Sequence, residues 1–312
     1  MKTNNHDHKT VVCYGEVLWD IFPTKTKPGG APMNVAYHLR KLGIDSHMIS
    51  RVGADEWGDR IIDLLDGWQI PAHYCVPDTA HETGLVHAIA VTPTEMAYTI
   101  EYPAAWDFIE WNKEMADKVA EADAFVYGSL VTRGETSRNT LLRLLKVAKY
   151  KVFDINMRPP FYSQELLEEL MNECNLLKMN ENEVALLGKW YLNEEDKEEA
   201  CVRYLQDKFS IDEVVVTKGE EGATYYTRNA WHSFPAYHVE VKDTVGSGDS
   251  FLAAFLSKKL NGASAVEGMK YAIAVGAFVA SNEGACPAYS TEDLNQFIIK
   301  KELEINQAII SN

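Results

Sequence analysis

Cysteines are sparse: Cys13, Cys75, Cys174, Cys201 and Cys286 are scattered, odd in number and never spaced as CxxC. That excludes a disulfide framework and fits a reducing, cytoplasmic compartment. No run of about 18 apolar residues occurs, so no membrane-spanning helix is expected. The opening MKTNNHDHKT lacks the apolar stretch an export signal needs, and residues 1–9 read as a loose polar arm. Positive charge is also short: 30 Lys plus Arg against 46 Asp plus Glu leave a formal net charge of −16. A nucleic-acid backbone is therefore disfavoured as the main partner, because such binding is driven by Lys and Arg displacing counterions. A single anionic metabolite stays open, since local donors can override global sign. The nine histidines form no HExxH and no metal-like His/Cys spacing, and read as surface or packing residues. No repeat and no linker rich in Pro, Gly or Ser divides the chain, which predicts one domain over residues 10–312.

What the chain does contain is an alternation of short β-branched or aromatic runs with longer helical patterns, the mark of an α/β fold on a mostly parallel sheet. Strands are predicted at 11–17, 47–53, 124–130, 151–156, 175–180 and 213–219. Helices are predicted at 33–43, ending at Gly43, and at 55–68, where Ile61, Ile62, Leu64 and Leu65 recur at helical spacing. Two segments break the alternation. LWDIFPTKTKPGG follows the first strand, and GLVHAIAVTP with EMAYTIEYP reads as a hairpin turning at Pro93, Thr94 and Glu95. Together, at about 18–30 and 84–105, they predict a small antiparallel β lid over a site.

The stretch DTVGSGDSF, Asp243 to Phe251, sets two carboxylates around Thr, Gly and Ser and then starts an apolar helix. Gly246 and Gly248 let the backbone approach a ligand closely. The helix start leaves N–H groups unpaired with the positive end of the dipole behind them, which makes an anion site. Asp249 at the same helix start can take a proton from a substrate hydroxyl. Donors for phosphate oxygens next to a base for an alcohol are what phosphoryl transfer requires. Nine letters alone fit a glycine-rich helix start with a dipole-complementing Asp equally well. Competing motifs fail: the third Gly of a dinucleotide GxGxxG is missing, and no GxxxxGK[ST] loop occurs.

DTVGSGDSF closely resembles the C-terminal signature of the ribokinase-like (PfkB) sugar kinases, DTxGAGD, with Ser247 for the usual Ala. GGAPMNVAYHLRKLG, 29–43, resembles the family's second signature, GGxxxNxAxxLxxLG. The resemblance runs through about residues 11–303 with its motifs in family order, and implies a three-layer α/β fold with a mostly parallel sheet flanked by helices. It implies Asp249 as the catalytic base and the amides of Val245, Gly246, Ser247 and Gly248 as the anion hole. On the sugar it implies Asp20, Gly29, Gly30 and Asn34, with Asn156 and Arg158 of FDINMRP, which resemble the DxNxR of the fructokinase-like members.

The same resemblance assigns Asn180 and Glu183 of KMNENEV to the family's NxxE, which positions Mg²⁺ and phosphate, with Glu183 acting through water; NxxE is also an ordinary capping box. Thr217, Gly219 and Gly222 match the nucleotide-binding TxGxxG, and Ile273 is a weaker match in the helix that walls the adenine. Asp243 is a candidate ligand for a monovalent cation such as K⁺. Trp106 and Trp111, near the lid, suit sugar stacking or core packing equally.

The implied activity is ATP-dependent phosphorylation of a sugar in the cytoplasm, with Mg²⁺, without nucleic acid or membrane, and with a homodimer through the lid as a family habit. GEVLWDIFP and DINMRPP look most like fructokinases and favour fructose 6-phosphate as product. Glu101 and Tyr102 stand where fructokinases commonly carry an Arg-containing segment, which leaves ribose, 2-keto-3-deoxygluconate or a nucleoside as alternative substrates. A non-catalytic sugar sensor is the alternative of a different class, although a sensor has no physical need for the base.

Overall fold

The structure, a computed structural model, describes residues 9–92, 95–195 and 197–311. In chain order its strands are β1 (Thr10–Tyr14), β2 (Leu18–Ile21), β3 (Thr26–Gly29), β4 (Asp45–Gly53), β5 (Cys75–Asp78), β6 (Gly84–Thr92), β7 (Glu95–Ile100), β8 (Ala124–Gly128), β9 (Lys151–Asp154), β10 (Leu176–Asn180), β11 (Glu213–Thr217), β12 (Ala223–Thr227) and β13 (Trp231–Phe234). Its α-helices are α1 (Ala31–Lys41), α2 (Glu56–Gly67), α3 (Lys113–Glu121), α4 (Glu135–Leu145), α5 (Gln164–Met171), α6 (Glu181–Leu192), α7 (Glu198–Phe209), α8 (Ser247–Leu260), α9 (Ala265–Ala280) and α10 (Thr291–Ser311). Residues 1–8 of the predicted arm, and Pro93 and Thr94 of the predicted hairpin turn, lie outside the described residues.

Nine strands form one sheet in the order β13-β12-β11-β10-β9-β8-β1-β4-β5. All neighbours from β11 to β5 run parallel, while β12 and β13 are added antiparallel. Both faces are covered, which is why its strands read as near-continuous apolar runs. Val11 and Cys13 of β1 enter the core beneath α1, α2, α8 and α9. Val12 and Tyr14 enter the opposite core beneath α3 to α7. The predicted three-layer sandwich is the observed one.

Each predicted strand is present, but those at 11–17, 124–130, 151–156 and 213–219 stop two or three residues early. The chain leaves the ladder at Gly15, and after Gly128 it enters a 3₁₀ turn, Leu130–Arg133. β5, β12 and β13 were not predicted. β5 is a short edge strand with a proline, and β13 is an exposed edge strand.

The lid is a four-stranded sheet in the order β3-β2-β6-β7. It corrects the expected antiparallel lid to a mixed one: β2 pairs antiparallel with β3, and β6 with β7, but β2 and β6 run parallel. Two separate hairpins meet through their inner strands, so the central pairing is free of the turn constraint that forces antiparallel neighbours. Trp19 anchors the lid to the body by donating Nε1–H to the Trp57 carbonyl at 3.0 Å.

The order reverses between β1 and β8: the chain steps from β1 to β4 and β5 on one side, and through β8, β9, β10 and β11 on the other. Open parallel sheets bind ligands at such a reversal, outside the carboxyl ends of the strands. The loops after β1, β9, β10 and β11 carry the residues singled out in the sequence.

Candidate active site

At the start of α8 the chain turns at Gly246, whose φ of 78° is left-handed. A Cβ there would lie 2.6 Å from Ala285 Cα, so the turn requires glycine. Of the four amides expected to hold an anion, two are already used. Val245 N–H donates to Asp243 Oδ1 at 3.1 Å, and Ser247 N–H donates to the Thr244 carbonyl at 3.3 Å. The amides of Gly246 and Gly248 have no acceptor among the described residues, so the cradle narrows to them at the positive end of a 14-residue helix.

Asp249, in the first turn of α8, accepts a hydrogen bond from Asn34 Nδ2 at 2.8 Å. Asn34 projects from α1, and its own carbonyl oxygen accepts from Cys286 Sγ at 3.3 Å. The two signature motifs, 215 residues apart, therefore meet at one carboxylate. Burial, and then the charge of Asp154, push Asp249 up to about 6 against the opposing effects of Lys178, Asn34 and Arg158. A carboxylate so placed is still ionised at neutral pH and accepts a proton more readily than an ordinary aspartate.

Asp20 projects from lid strand β2, and burial pushes it up to about 6 although Arg158 and Lys27 pull it down. Gly30, with φ of 112°, begins α1 against the Glu16 carbonyl, where a side chain would collide with backbone. Gly29 ends β3 beside Asp20. Asn156 sits past β9 with φ of 38°, a left-handed backbone that Asn tolerates better than most residues. Arg158 is exposed, yet its charge acts on Glu16, Asp20 and Asp249 together.

Thr217, Gly219, Gly222 and Ile273 all line one cleft of about 280 Å³, together with Ser247 and Gly248 at the start of α8. Asn180 is not among the residues lining that cleft. It caps α6: its side chain accepts from Glu183 N–H at 2.9 Å, and its own N–H donates to Glu183 Oε2 at 2.8 Å. Glu183 Oε1 accepts from Met157 N–H at 2.8 Å, so this buried carboxylate ties the end of β10 to the Asn156–Arg158 loop. Trp106 is wholly buried, with the Arg133 guanidinium 3.8 Å from its ring centroid, and Trp111 is covered by Arg143 at 3.7 Å. Core and surface packing account for both rings.

At the centre of the site, sequence reasoning missed three charged residues, Lys178, Asp154 and Glu16, and part of one wall. Lys178, 6% exposed, donates to both oxygens of Asp154 at 3.0 Å. A Cβ on Gly248 would lie 3.1 Å from its Nζ, so the ammonium sits directly beneath the anion cradle. Burial opposes its charge, but Asp154, Glu183 and Asp249 outweigh that and keep it protonated. Glu16 is 3% exposed, and its Oε2 has no partner among the described residues. Burial pushes it up to about 7. The available signal was a single charged letter inside an apolar strand or at its end, in NLLKMN and VVCYGEV. The wall is formed by Gly276 and Ala277 on the same face of α9 as Ile273, together with Val239 and Val241 from a segment without regular structure.

Residues 3–292 match the model of the pfkB family carbohydrate kinases. The chain is 28% identical to the probable fructokinase-5 of Arabidopsis thaliana across 94% of this chain and 98% of that one. It is also 28% identical to fructokinase-2 of Oryza sativa subsp. japonica, across 93% and 94%. Among solved structures, the fructokinase with bound ATP from Xylella fastidiosa superposes with a TM-score of 0.81 at 21% identity, covering 94% and 99%. A Vibrio cholerae fructokinase in its fructose, ADP and potassium ion bound form gives 0.79 at 24%, covering 93% and 98%. A putative ribokinase II from E. coli in complex with ATP and Mg²⁺ gives 0.80 at 21%, covering 94% and 99%. At these identities the structures speak for the fold. The chain belongs to the pfkB family of carbohydrate kinases.

Proposed function

We propose that the sugar is fructose and the product fructose 6-phosphate, with Asp249 as the base. The observation that carries the mechanism is the position of Asp249: it is held by Asn34 from the sugar side and lies in the same helical turn as the unpaired Gly246 and Gly248 amides. In the reaction, the sugar hydroxyl gives its proton to the Asp249 carboxylate as its oxygen bonds to the γ-phosphorus. The bond from that phosphorus to the β,γ-bridging oxygen breaks, and ADP leaves with the electron pair. Gly246 and Gly248 N–H donate to the phosphoryl oxygens where charge develops.

Asp20, Asn34, Asn156 and Arg158 bind the sugar hydroxyls, with Gly29 and Gly30 at the lid hinge. Thr217, Gly219, Gly222 and Ile273 receive the nucleotide, with Asn180 shaping the adjoining strand end. Among the described residues no cluster of three or more His, Cys, Asp or Glu could hold a metal directly. The buried Glu183, both of whose oxygens already accept backbone N–H groups, fits a Mg²⁺ that is carried by the nucleotide and met through water. Bound there, Mg²⁺ supplies neutralisation of phosphate charge. Exposed Ile89 and Tyr98 on β6 and β7 suit a homodimer through the lid.

Fructose is favoured by the fructokinase names of relatives that cover 93–94% of the chain and by the DINMRPP and GEVLWDIFP stretches. Another sugar is favoured by the lid edge, where Glu101 pairs with His87 at 2.6 Å instead of presenting an arginine. Coupled ADP production with Mg-ATP against fructose, ribose, glucose, 2-keto-3-deoxygluconate and adenosine separates these readings. Fructose should give the highest kcat/KM. A higher value for another member would replace fructose, and sugar binding without turnover would favour the sensor.

A further inference from the structure

Lys27 lies on lid strand β3 in register with Asp20 of β2. Its Nζ donates to Asp243 Oδ2 at 2.7 Å, and the two side chains are only 20% and 19% exposed. The same Asp243 Oδ2 accepts from Gly284 N–H at 3.0 Å, and Oδ1 accepts from Val245 N–H at 3.1 Å. One carboxylate thus joins the lid strand, the turn that presents the Gly246 and Gly248 amides, and the loop that follows α9. Burial works against this charge. Hydrogen bonds from Lys27, Val245 and Gly284, with the Lys27 ammonium beside it, outweigh burial and hold Asp243 below the usual carboxylate range. The carboxylate considered for a monovalent cation therefore carries a lysine ammonium from the lid.

Nearby Lys25 and Glu283 are 4.0 Å apart and more than half exposed, an ion pair that solvent largely screens. Lys27 is different in kind. It is shielded, its carboxylate partner is shared with two backbone donors, and its charge also acts on Asp20.

We propose that Lys27 is a positioning residue, a latch that holds the sugar lid down on the phosphate-facing turn, so that closure over sugar and alignment of the Gly246 and Gly248 amides occur together. The proposal rests on the kinase reading above. With the latch intact, the lid stays closed while the γ-phosphoryl is in place, and water is excluded. Without it, the lid and the turn move independently.

The test compares wild type with Lys27→Met, which keeps the aliphatic stem and removes the charge, with Lys27→Arg, and with Asp243→Asn alone and combined with Lys27→Met. Amide hydrogen exchange of residues 18–29, measured without substrates, reads the latch whatever the enzyme's substrate. Exchange there should be at least several-fold faster in Lys27→Met than in wild type and close to wild type in Lys27→Arg. In turnover, Lys27→Met should raise sugar KM about 10-fold and raise the ratio of sugar-independent to sugar-dependent ADP formation, with Lys27→Arg restoring both. The double variant should be no worse than the more impaired single variant, as expected of one shared interaction. Unchanged exchange in Lys27→Met overturns the latch. Faster exchange with wild-type KM and wild-type ATP leakage overturns its role in positioning. A wild type that turns over no sugar refutes the kinase reading while the exchange measurement still decides the latch.

Discussion

The two sides of the cleft are built from different materials. On the lid side, Asn34 bonds Asp249, the charge of Arg158 acts on Glu16, Asp20 and Asp249 together, and burial drives these three carboxyl groups toward neutrality. On the proposed nucleotide side the wall is largely glycine, alanine and aliphatic residues, joined by Tyr237, Phe251 and the hydroxyls of Thr217, Thr244 and Ser247, and its carboxylate, Glu220, is exposed. A buried side chain that loses its partner leaves a desolvated group behind, whereas a backbone donor survives most substitutions. On the proposed assignment of the two sides, the difference implies that sugar recognition is brittle and nucleotide recognition tolerant. It also puts the proposed chemistry at the seam between the two, where α8 starts.

The largest effect should come from the seam itself. Asp249→Asn is expected to lower kcat by on the order of 10²- to 10⁴-fold with little change in ATP affinity, measured by coupled turnover and nucleotide titration. Near-normal turnover would remove Asp249 from the base role. On the brittle side, Arg158→Ala should raise sugar KM by about 10- to 100-fold, as expected for loss of a charged hydrogen bond, and leave ATP KM nearly unchanged. An equal effect on both constants would erase the contrast between the sides.

The pH profile sharpens the same contrast. As the proposed base, Asp249 must be ionised to act, and its folded value is raised to about 6, so kcat/KM should fall as pH drops through about 6. Lys178 pulls that value down, so Lys178→Met should move the acid limb to higher pH. A limb that stays in place, in a folded variant, would mean that another group sets it. The smallest effect belongs to the tolerant side: Ile273→Ala should weaken ATP by only a few-fold, about 1 kcal/mol for the apolar surface that no longer packs on the nucleotide, with sugar KM unaltered.

Much of this site was legible because its motifs answer backbone demands. Gly246 is required by a left-handed turn against Ala285, and Gly30 by close approach to the Glu16 carbonyl. Such demands leave fixed letters at fixed spacing. The parallel strands were legible for a similar reason, since burial on both faces leaves unbroken apolar runs. Lys178 was not, because its meaning depends on Asp154, 24 residues away on the neighbouring strand. Lys27 was hidden more deeply, its partner being 216 residues distant. The short edge strands and the segment at 236–241 carry no period and no cap, and only tertiary packing defines them. Asn180 and Glu183 show the converse, since a capping box and the resemblance-implied NxxE are written in the same letters.

Phosphorus NMR of the protein with Mg-ATP, with and without fructose, tests the central claim most directly. The account predicts that the γ-phosphate signal of ATP is replaced, only when sugar is present, by ADP and a phosphomonoester coupled to a CH₂ group. ATP left intact in the presence of every sugar of the panel, or conversion to inorganic phosphate at the same rate with and without sugar, would contradict it.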